Sequence, residues 1–293
     1  MATENISTVE MTLKGFLQWA LIELGDRAPY MFRGESALFD TPLTPTLNRY
    51  FTGAESVSSK DLLFYENGLW DEFRSKAYNY VEQPLLPPWD RQSEWWWLMH
   101  HYGVPTRLLS WSRSPLVAAY FACSQDMEVN GCVWFVDSIE IDKQTQAKYK
   151  IGLQPDMAQL QIGPNEDSLW QRNAALLRED APSAVVIGAT LQETSRIAAQ
   201  QTKFTLCMNV ATSQFDILRD ELPELSAGGS PSFGKIIIKA DEKPVYFEKL
   251  QALNANAHAL FPGEDGLGRA GTDWLLKTVY ARRSGRPTFT AIR

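Results

Sequence analysis

Cysteine, histidine and net positive charge are all scarce in this sequence. Of its 293 residues, 3 are cysteine and 3 are histidine. The cysteines, Cys123, Cys132 and Cys207, are odd in number and lie in apolar runs, which predicts reduced thiols in the core rather than a disulfide framework or a zinc site. The 28 basic residues are outnumbered by 35 acidic ones, giving a net charge of -7, so any polyanionic partner must bind a local basic patch.

Long apolar runs and targeting signals are also lacking. The first residues contain neither the basic nor the apolar region of a signal peptide, and uncharged stretches such as residues 114–125 are about half a membrane span. We therefore expect a cytoplasmic protein without a membrane partner. Hydrophobic residues make up 44% of the chain and charged residues 22%, which excludes intrinsic disorder and suffices for a sizeable core.

The periodicity of apolar residues predicts helices in the first part of the chain. Apolar side chains recur at helical spacing from Val9 to Leu24, which predicts an amphipathic helix over residues 9–24. A second helix, capped by Ser58 or Ser59, is predicted up to about Tyr80, and further helices are predicted over residues 93–103 and 115–123. The last of these has Ser114 as its cap and Pro115 as its first residue, a combination typical of a helix start.

Strands are predicted mainly in the second part. One short early strand is predicted over residues 30–33, and the prolines of residues 41–50 predict an extended loop after it. The later strands are predicted at residues 131–137, 183–189, 203–210 and 234–240. This order favours an α+β fold, a single domain with a mixed or antiparallel split β-sheet flanked by helices. Two polar stretches, residues 141–168 and 221–232, are expected as insertions or mobile surface.

We divide the chain into an N-terminal helix in residues 1–29, a main domain in residues 30–270 and a basic C-terminal helix or tail in residues 271–293. Near this end one acid, Asp273, faces six basic residues: Arg269, Lys277, Arg282, Arg283, Arg286 and Arg293. Such a cluster is typical of a solvated helix end. It is also the one local patch in the sequence that could attract a polyanion.

The common short motifs of nucleotide hydrolysis and of serine hydrolases, the P-loop and GxSxG, do not occur. His258 is isolated, and His100 and His101 would point to different sides of a helix, so they cannot act as two ligands of one metal. We expect no bound metal and a hydrogen-bonding role for the histidines.

Arg33 lies in an apolar strand segment between Phe32 and Gly34, where burial of a guanidinium is costly unless it meets an anion. Gly34 would let a ligand approach the backbone closely. Two partners for Arg33 stay open: a bound anion, or an internal carboxylate such as Glu35. The first would make this segment a binding site, and the second would make it structural.

A second segment, residues 100–122, combines polar and aromatic groups that suit an anionic nucleotide. The helix that begins after Ser114 presents free N–H groups and a partial positive charge to an anion. The rings of Tyr102, Trp111 and Tyr120 supply flat surfaces on which a base or a nicotinamide could stack.

These segments resemble the bacterial FRG-domain family, which is named for a Phe/Tyr-Arg-Gly tripeptide, here Phe32-Arg33-Gly34. The family's most specific block, a His-Tyr-Gly-x-Pro-Thr-Arg-Leu-Leu-Asp-Trp-Thr string that leads into a helix, is similar to residues 101–122. Three further segments resemble family motifs: the proline-flanked segment ending at Arg49, residues Gln200 to Phe204, and residues Phe261 to Gly266. Ser110 stands where the family usually has aspartate, and Ser112 stands where it has threonine.

A looser resemblance links the chain to ADP-ribosyltransferases. Arg33 on an early strand and the serine-rich residues 109–122 are similar to the arginine and Ser-Thr-Ser segments of those enzymes. The resemblance implies an ADP-ribosyltransferase-like fold and an enzyme that transfers ADP-ribose from NAD to a macromolecular acceptor, or hydrolyses NAD, as a toxin or antiphage effector. Cleavage of the glycosidic bond of NAD forms an oxocarbenium-like ribose, which needs a carboxylate beside it.

The resemblance also implies roles for particular residues. The implied catalytic residues are Arg33, His101, Glu193 and Gln200. The implied NAD-binding residues are Arg33, Gly34, Arg49, Tyr102, Thr106, Arg107, Ser110, Trp111 and Ser112. Glu264 and Asp265 are further candidates for the carboxylate.

Two other functions stay open. A nucleotide- or RNA-binding module without turnover would use Arg33, Arg49, Arg107 and the basic C-terminal tail, and its binding would weaken with salt. A hydrolase or nuclease would use His101 as its general acid or base.

Overall fold

A single mixed sheet of seven strands organises the computed structural model, in the order β1-β7-β4-β2-β3-β6-β5. The strands are β1 (Ser7–Glu10), β2 (Tyr30–Glu35), β3 (Leu109–Ser112), β4 (Gly131–Asp137), β5 (Val185–Gly188), β6 (Thr202–Cys207) and β7 (Phe233–Ile238). The structure describes residues 6–23, 30–51, 57–89, 92–149, 178–188, 194–225 and 229–283. β1 pairs with β7 in parallel, and every other neighbouring pair is antiparallel. The predicted α+β class and mixed sheet are confirmed.

Helices cover both faces of the sheet. In the described ranges the α-helices are α1 (Leu13–Gln18), α2 (Thr46–Arg49), α3 (Ser59–Tyr80), α4 (Gln92–His101), α5 (Pro115–Cys123), α6 (Ser138–Tyr149), α7 (Ser195–Gln200), α8 (Gln214–Glu221), α9 (Lys243–Ala252), α10 (Ala257–Leu260) and α11 (Glu264–Arg283). A π-helical segment follows α1 at Trp19–Glu23, and a 3₁₀ helix follows α3 at Gln83–Leu85. None of these helices combines the length and the apolar character that a membrane crossing requires.

Alternation along the strands assigns side chains to the two faces. On one face, Phe32 of β2 packs with α5 and α9, and Phe204 of β6 packs with α4. On the opposite face, Met31 of β2 packs with residues of α6 and α8. It follows that Arg33, two residues after Met31, faces the α6 and α8 layer, whereas Ser110, which pairs with Phe204, faces the α4 layer.

β2 and β3 meet at only one point. They pair through Phe32 and Ser112 alone, whereas β2 and β4 stay in register along all of β2. Beyond that pair the two strands separate, so the sheet is continuous but split between its parts β1-β7-β4-β2 and β3-β6-β5. We call the space between Arg33 of β2 and Ser110 of β3 the strand gap. Backbone groups that lose their ladder partner there need partners from side chains.

The prediction of one helix over residues 9–24 is wrong at its start. Ser7–Glu10 forms the edge strand β1, and α1 begins only at Leu13. The residue before it, Thr12, accepts a backbone N–H of the first helical turn with its hydroxyl, which fixes the helix start. β-branched Val9 favours a strand, and its helical spacing to later apolar residues is coincidental.

Two further segments differ from the predictions. The proline-flanked loop contains the one-turn helix α2, which begins after Pro45, where the missing N–H of proline removes no helical hydrogen bond. Residues 109–112, for which no strand was predicted, form strand β3. The reason is alternation, since Leu109 and Trp111 both point into the core on one face of the sheet.

Several predicted boundaries are confirmed. α3 begins after its cap Ser58 and ends at Tyr80, α5 begins after its cap Ser114 and ends at Cys123, and β4 spans Gly131–Asp137. Of the two predicted insertions, the first starts within α6 and continues beyond the described residues, and part of the second also lies outside them. Residues 141–149 belong to α6, whose Ile141 and Thr145 are buried, so this part of the first stretch is not a surface insertion. The rest of both stretches stays a prediction.

The three cysteines are free and buried, as predicted. Burial raises the pKa of each thiol to about 12. Because the thiolate is the reactive form of cysteine, these side chains behave as small apolar core residues.

Candidate functional site

Arg33 bridges the strand gap. Its Nε donates a hydrogen bond to Glu35 Oε1 at 3.2 Å, and its Nη1 donates one to the carbonyl oxygen of Ser110 at 2.9 Å. The guanidinium thus supplies a side-chain partner at the place where the two strands have separated. The Arg33 side chain keeps 17% of its surface exposed, whereas that of Glu35 keeps 3%. Of the two partners that the sequence left open, the internal carboxylate is present.

Glu35 is the fixed end of this pair. Its other oxygen, Oε2, accepts a hydrogen bond from Trp134 Nε1 at 3.0 Å. A buried carboxylate held by two donors stabilises the charge on Arg33 and keeps the guanidinium in one position. Glu35 itself is closed to solvent, so it positions Arg33 and does not reach a bound molecule.

His100 closes the other side of the strand gap. Its Nδ1 lies 3.0 Å from Thr106 Oγ1, and its Nε2 lies 2.7 Å from Ser110 Oγ. Burial lowers the pKa of His100 to about 4, and the charges of Arg33 and Arg196 act in the same direction. The imidazole is therefore neutral at neutral pH, and one of its nitrogens donates while the other accepts.

Helix α2 brings a second arginine close to the strand gap. Thr106 holds this helix, because its N–H donates to Thr46 Oγ1 at 3.0 Å and its carbonyl accepts the N–H of Leu47 at 3.1 Å. Arg49 ends α2. Partial burial of its guanidinium and the charge of Arg33 lower the pKa of Arg49. Two cations therefore lie near each other at this end of the gap.

Gly34 serves packing rather than the approach of a ligand. A Cβ atom at this position would lie 1.9 Å from the carbonyl oxygen of Ala118 and 2.7 Å from the backbone nitrogen of Ala122. The backbone of α5 thus occupies the space beside Gly34 where a ligand was expected. Only glycine permits so close an approach of helix and strand.

Arg107, expected to bind NAD, is buried in the core instead. Its Nε and Nη2 both donate to the carboxylate of Glu66, and its Nη1 donates to the carbonyl of Met208 at 2.9 Å. The guanidinium carbon also lies 4.8 Å from the centre of the Trp96 ring. Arg107 and Glu66 are each 1% exposed. With all three nitrogens engaged, Arg107 has no group left for a ligand.

Three more residues expected to bind NAD, Thr106, Trp111 and Ser112, are buried as well. Trp111 Nε1 donates to Thr205 Oγ1 at 2.8 Å, and its ring is part of the core, so it offers no surface to a base. Ser112 Oγ donates to the carbonyl of Gln200 at 2.7 Å. These side chains hold β3 to its neighbours rather than facing a ligand.

His101 is the last residue of α4, and Tyr102 follows it in the turn. The His101 ring stacks on Trp97 with 5.7 Å between centroids and meets Tyr102 edge-on at 5.2 Å. Burial and the charge of Arg196 lower the pKa of His101, so it is neutral at neutral pH and able to accept a proton. Tyr102 is exposed, and with Phe73 it lines an apolar cleft of about 440 Å³ between α3 and the turn after α4.

Gln200 joins two helices. Its Nε2 donates to the carbonyl of Leu260 at 2.9 Å, and its own backbone carbonyl accepts the hydroxyl of Ser112. Its side chain therefore ties α7 to the end of α10. This gives Gln200 a structural position, and its predicted catalytic role stays a prediction.

The acids proposed for catalysis have different positions. Glu193 lies outside the described residues. Glu264 and Asp265 occupy the first turn of α11 and are exposed. The charge of Asp265 opposes the lowering of the His101 pKa, so this carboxylate lies near His101, which is half-buried.

The glycines of residues 266–271 have the spacing GxGxxG that dinucleotide-binding proteins use between a strand and a helix. Here they lie within α11, which follows helix α10 and not a strand. The context that the motif requires is therefore absent from this part of the described structure.

His100 belongs to this site, and the charge of Arg196 acts on it, although neither residue stands out in the sequence. The sequence does contain a clue to His100. Its hydrogen-bond partner is Ser110, which stands where the family usually has aspartate. Arg196 has no comparable signal, since only tertiary folding brings α7 beside α4.

The strand gap is lined by the partly exposed guanidinium of Arg33 on one face of the sheet and by the hydrogen-bonded pair of His100 and Ser110 on the other. Nη2 of Arg33 has no hydrogen-bond partner among the residues that the structure describes. An arginine with one free edge beside a second cation is suited to bind the oxygens of a phosphate or carboxylate. Across the described ranges, no three His, Cys, Asp or Glu side chains are grouped to hold a metal ion.

The fold is that of an α+β domain with a split sheet. Its candidate site is formed where Arg33 of β2 faces that split. The family model of the FRG domain matches residues 28–131, a region that contains β2, β3 and the helices α2 to α5. Residues 28–131 of the chain therefore carry an FRG domain. No curated protein and no solved structure matches it significantly. Arg33, His100 and Ser110 lie inside the matched region.

Proposed function

We propose that this FRG-domain protein binds NAD at the strand gap and acts as an ADP-ribosyltransferase-like enzyme, which transfers ADP-ribose or hydrolyses NAD. The observation that carries the proposal is the hydrogen bond from Arg33 Nη1 to the carbonyl of Ser110, two residues 77 positions apart. The resemblance to ADP-ribosyltransferases links these same two segments. Their direct contact is what a shared NAD site would require.

The charges around the strand gap support recognition of a dinucleotide. Arg33 has a free edge, and Arg49 is close enough for the two charges to influence each other. Two guanidiniums can form charge-assisted hydrogen bonds to the two phosphates of NAD. Glu35 opposes only part of this positive charge, and it does so from a buried position.

The proposed reaction breaks the bond between ribose C1′ and the nicotinamide nitrogen. Nicotinamide leaves with the bonding electron pair, and water or an acceptor nucleophile then adds to the oxocarbenium-like ribose. A carboxylate must stabilise that cation. Among the described acids we assign this role to Asp265, because it is exposed and its charge acts on His101.

The test is release of nicotinamide from NAD labelled in the nicotinamide ring, with purified protein alone and with cell extract added. We expect release by the wild type and a loss of about 10²-fold or more in Arg33→Gln. Because that variant leaves Glu35 buried without its cation, the double variant Arg33→Gln/Glu35→Gln separates a lost fold from a lost binding group. Lys76→Gln, on an exposed helix face, is the control and should keep full activity. If the wild type releases no nicotinamide in either condition, the proposed enzymatic activity is refuted.

Nucleotide or RNA binding without turnover is the second candidate. The burial of Glu35 favours it, because the acid that contacts Arg33 cannot reach a ribose. Binding of NAD or single-stranded RNA that weakens with salt, with no nicotinamide released, would support this candidate over the first.

A further inference from the structure

Two arginines outside the matched region share one aromatic ring. The guanidinium carbon of Arg196, on α7, lies 4.9 Å from the centre of the Phe261 ring, and that of Arg269, on α11, lies 4.2 Å from it. Phe261 itself is buried between α10 and α11. Contact with a ring face stabilises each cation to a modest degree. It does not neutralise either of them.

This pair of like charges has no carboxylate bound to it. Within the ranges that the structure describes, neither Arg196 nor Arg269 forms a hydrogen bond or an ion pair. Other surface arginines differ, since Arg219 binds Asp216 and Asp220. Repulsion from Arg269, added to burial, lowers the pKa of Arg196. Holding two cations together in this way is unfavourable unless an anion joins them.

The elements that carry the pair are fixed in place. Gln200 ties α7 to the end of α10 through the carbonyl of Leu260. Asp273, on α11, accepts the N–H of Ala257 at 2.9 Å and the hydroxyl of Tyr120 at 3.1 Å, which ties α11 to α10 and α5. The helices that carry the two arginines are therefore fixed relative to each other, and both guanidinium carbons lie within 5 Å of the centre of one ring. Binding would then cost little ordering of the backbone.

We propose that Arg196 and Arg269 form a binding site for a phosphate group, beside His101 and distinct from the arginine pair Arg33 and Arg49 at the strand gap. Two guanidiniums offer up to ten N–H donors, which matches the many acceptor oxygens of a phosphate or diphosphate. His101 adds a neutral imidazole that can donate one further hydrogen bond. The site does not depend on NAD being consumed.

Asp265 sets the strength of this site. It lies one helical turn before Arg269 on α11, and its charge acts on Arg196 and on His101. With His101 neutral, the group carries two positive charges and one negative charge, so it still attracts an anion. Removal of the Asp265 charge should strengthen phosphate binding, whereas the proposed NAD reaction would lose its carboxylate.

Isothermal titration calorimetry of the full chain with inorganic pyrophosphate, ADP and adenosine tests the site. We expect the first two ligands to bind and adenosine to bind far more weakly. Arg196→Gln/Arg269→Gln should weaken pyrophosphate binding about tenfold or more. The matched control Lys277→Gln/Arg282→Gln removes two exposed charges from the same helix α11 and should change the affinity little. Asp265→Asn should bind pyrophosphate more tightly, and this variant removes no packing from the core.

The outcomes separate this site from the strand gap. Loss of pyrophosphate binding in the double arginine variant, with binding kept in Arg33→Gln, supports the proposal even if NAD is never consumed. Equal affinity of the wild type, the double variant and the control overturns it. So does loss of binding in Arg33→Gln alone, which would assign the phosphate to the strand gap. Tighter binding of ADP than of pyrophosphate identifies a nucleotide as the source of the phosphate.

Discussion

Arg33 and Arg107 both stand in conspicuous motifs and both bind a glutamate, yet they differ in what they leave free. Arg107 commits all three nitrogens to Glu66 and a backbone carbonyl inside the core. Arg33 binds Glu35 through Nε only, and its side chain stays 17% exposed. A motif arginine is therefore a candidate for binding only if the fold leaves one of its edges exposed and without a hydrogen-bond partner.

The largest expected effect concerns the buried pair. Arg107→Met leaves the Glu66 carboxylate buried and unpaired, which should lower the free energy of unfolding by about 3–5 kcal/mol. Guanidinium chloride unfolding followed by circular dichroism measures it. Lys76→Met breaks the exposed pair with Glu72 and should change the midpoint little. Comparable losses in the two variants would contradict the contrast between buried and exposed pairs.

A smaller effect is expected beside Arg33. Gly34→Ala should cost about 3 kcal/mol, because the added Cβ meets the Ala118 carbonyl and forces β2 away from α5. Gly68→Ala is the matched control, since no atom lies within 4 Å of its added Cβ and alanine favours a helix interior. Thermal unfolding should place the two variants on opposite sides of the wild type. If Gly34→Ala were as stable as the wild type, the packing role would be wrong, and Gly34 would again be a candidate for contact with a ligand.

Caps and the periodicity of apolar residues predicted much of the fold. Strands that are defined by pairing with distant segments were not predicted. The Ser114 cap with Pro115 predicted the start of α5, since capping depends on neighbouring residues only. β1 and β3 are four residues long and are defined by partners far along the chain, so periodicity could not find them.

The site divides in the same way. Glu35 could be named as a partner of Arg33 because residues two apart on a strand share a face. Glu66 could not be named as the partner of Arg107, which is 41 residues away. His100 and Arg196 likewise acquire their neighbours only through packing of helices on the sheet.

The pH dependence of stability sharpens the comparison at the strand gap. Burial lowers the pKa of His100 from 6.5 to about 4, so the unfolded state binds one more proton than the folded state between these values. Stability is therefore complete above the unfolded pKa and falls as the pH drops, by about 2 kcal/mol at about pH 5. Urea unfolding of wild type and His100→Gln along a pH series measures the difference. His258→Gln, at an exposed position, should keep the wild-type profile. If His100→Gln also keeps the wild-type profile, His100 is not the source of this pH dependence.

The smallest expected effect is at Arg33 itself. Arg33→Gln should lower the free energy of unfolding by about 1 kcal/mol, because its pair is partly solvated and Trp134 continues to bind Glu35. Arg33→Gln/Glu35→Gln should recover part of that loss, since no buried carboxylate is then left without its cation. Denaturant unfolding measures both variants. If Arg33→Gln costs as much as Arg107→Met, the two arginines are equally structural, and the strand gap offers no free edge to a ligand.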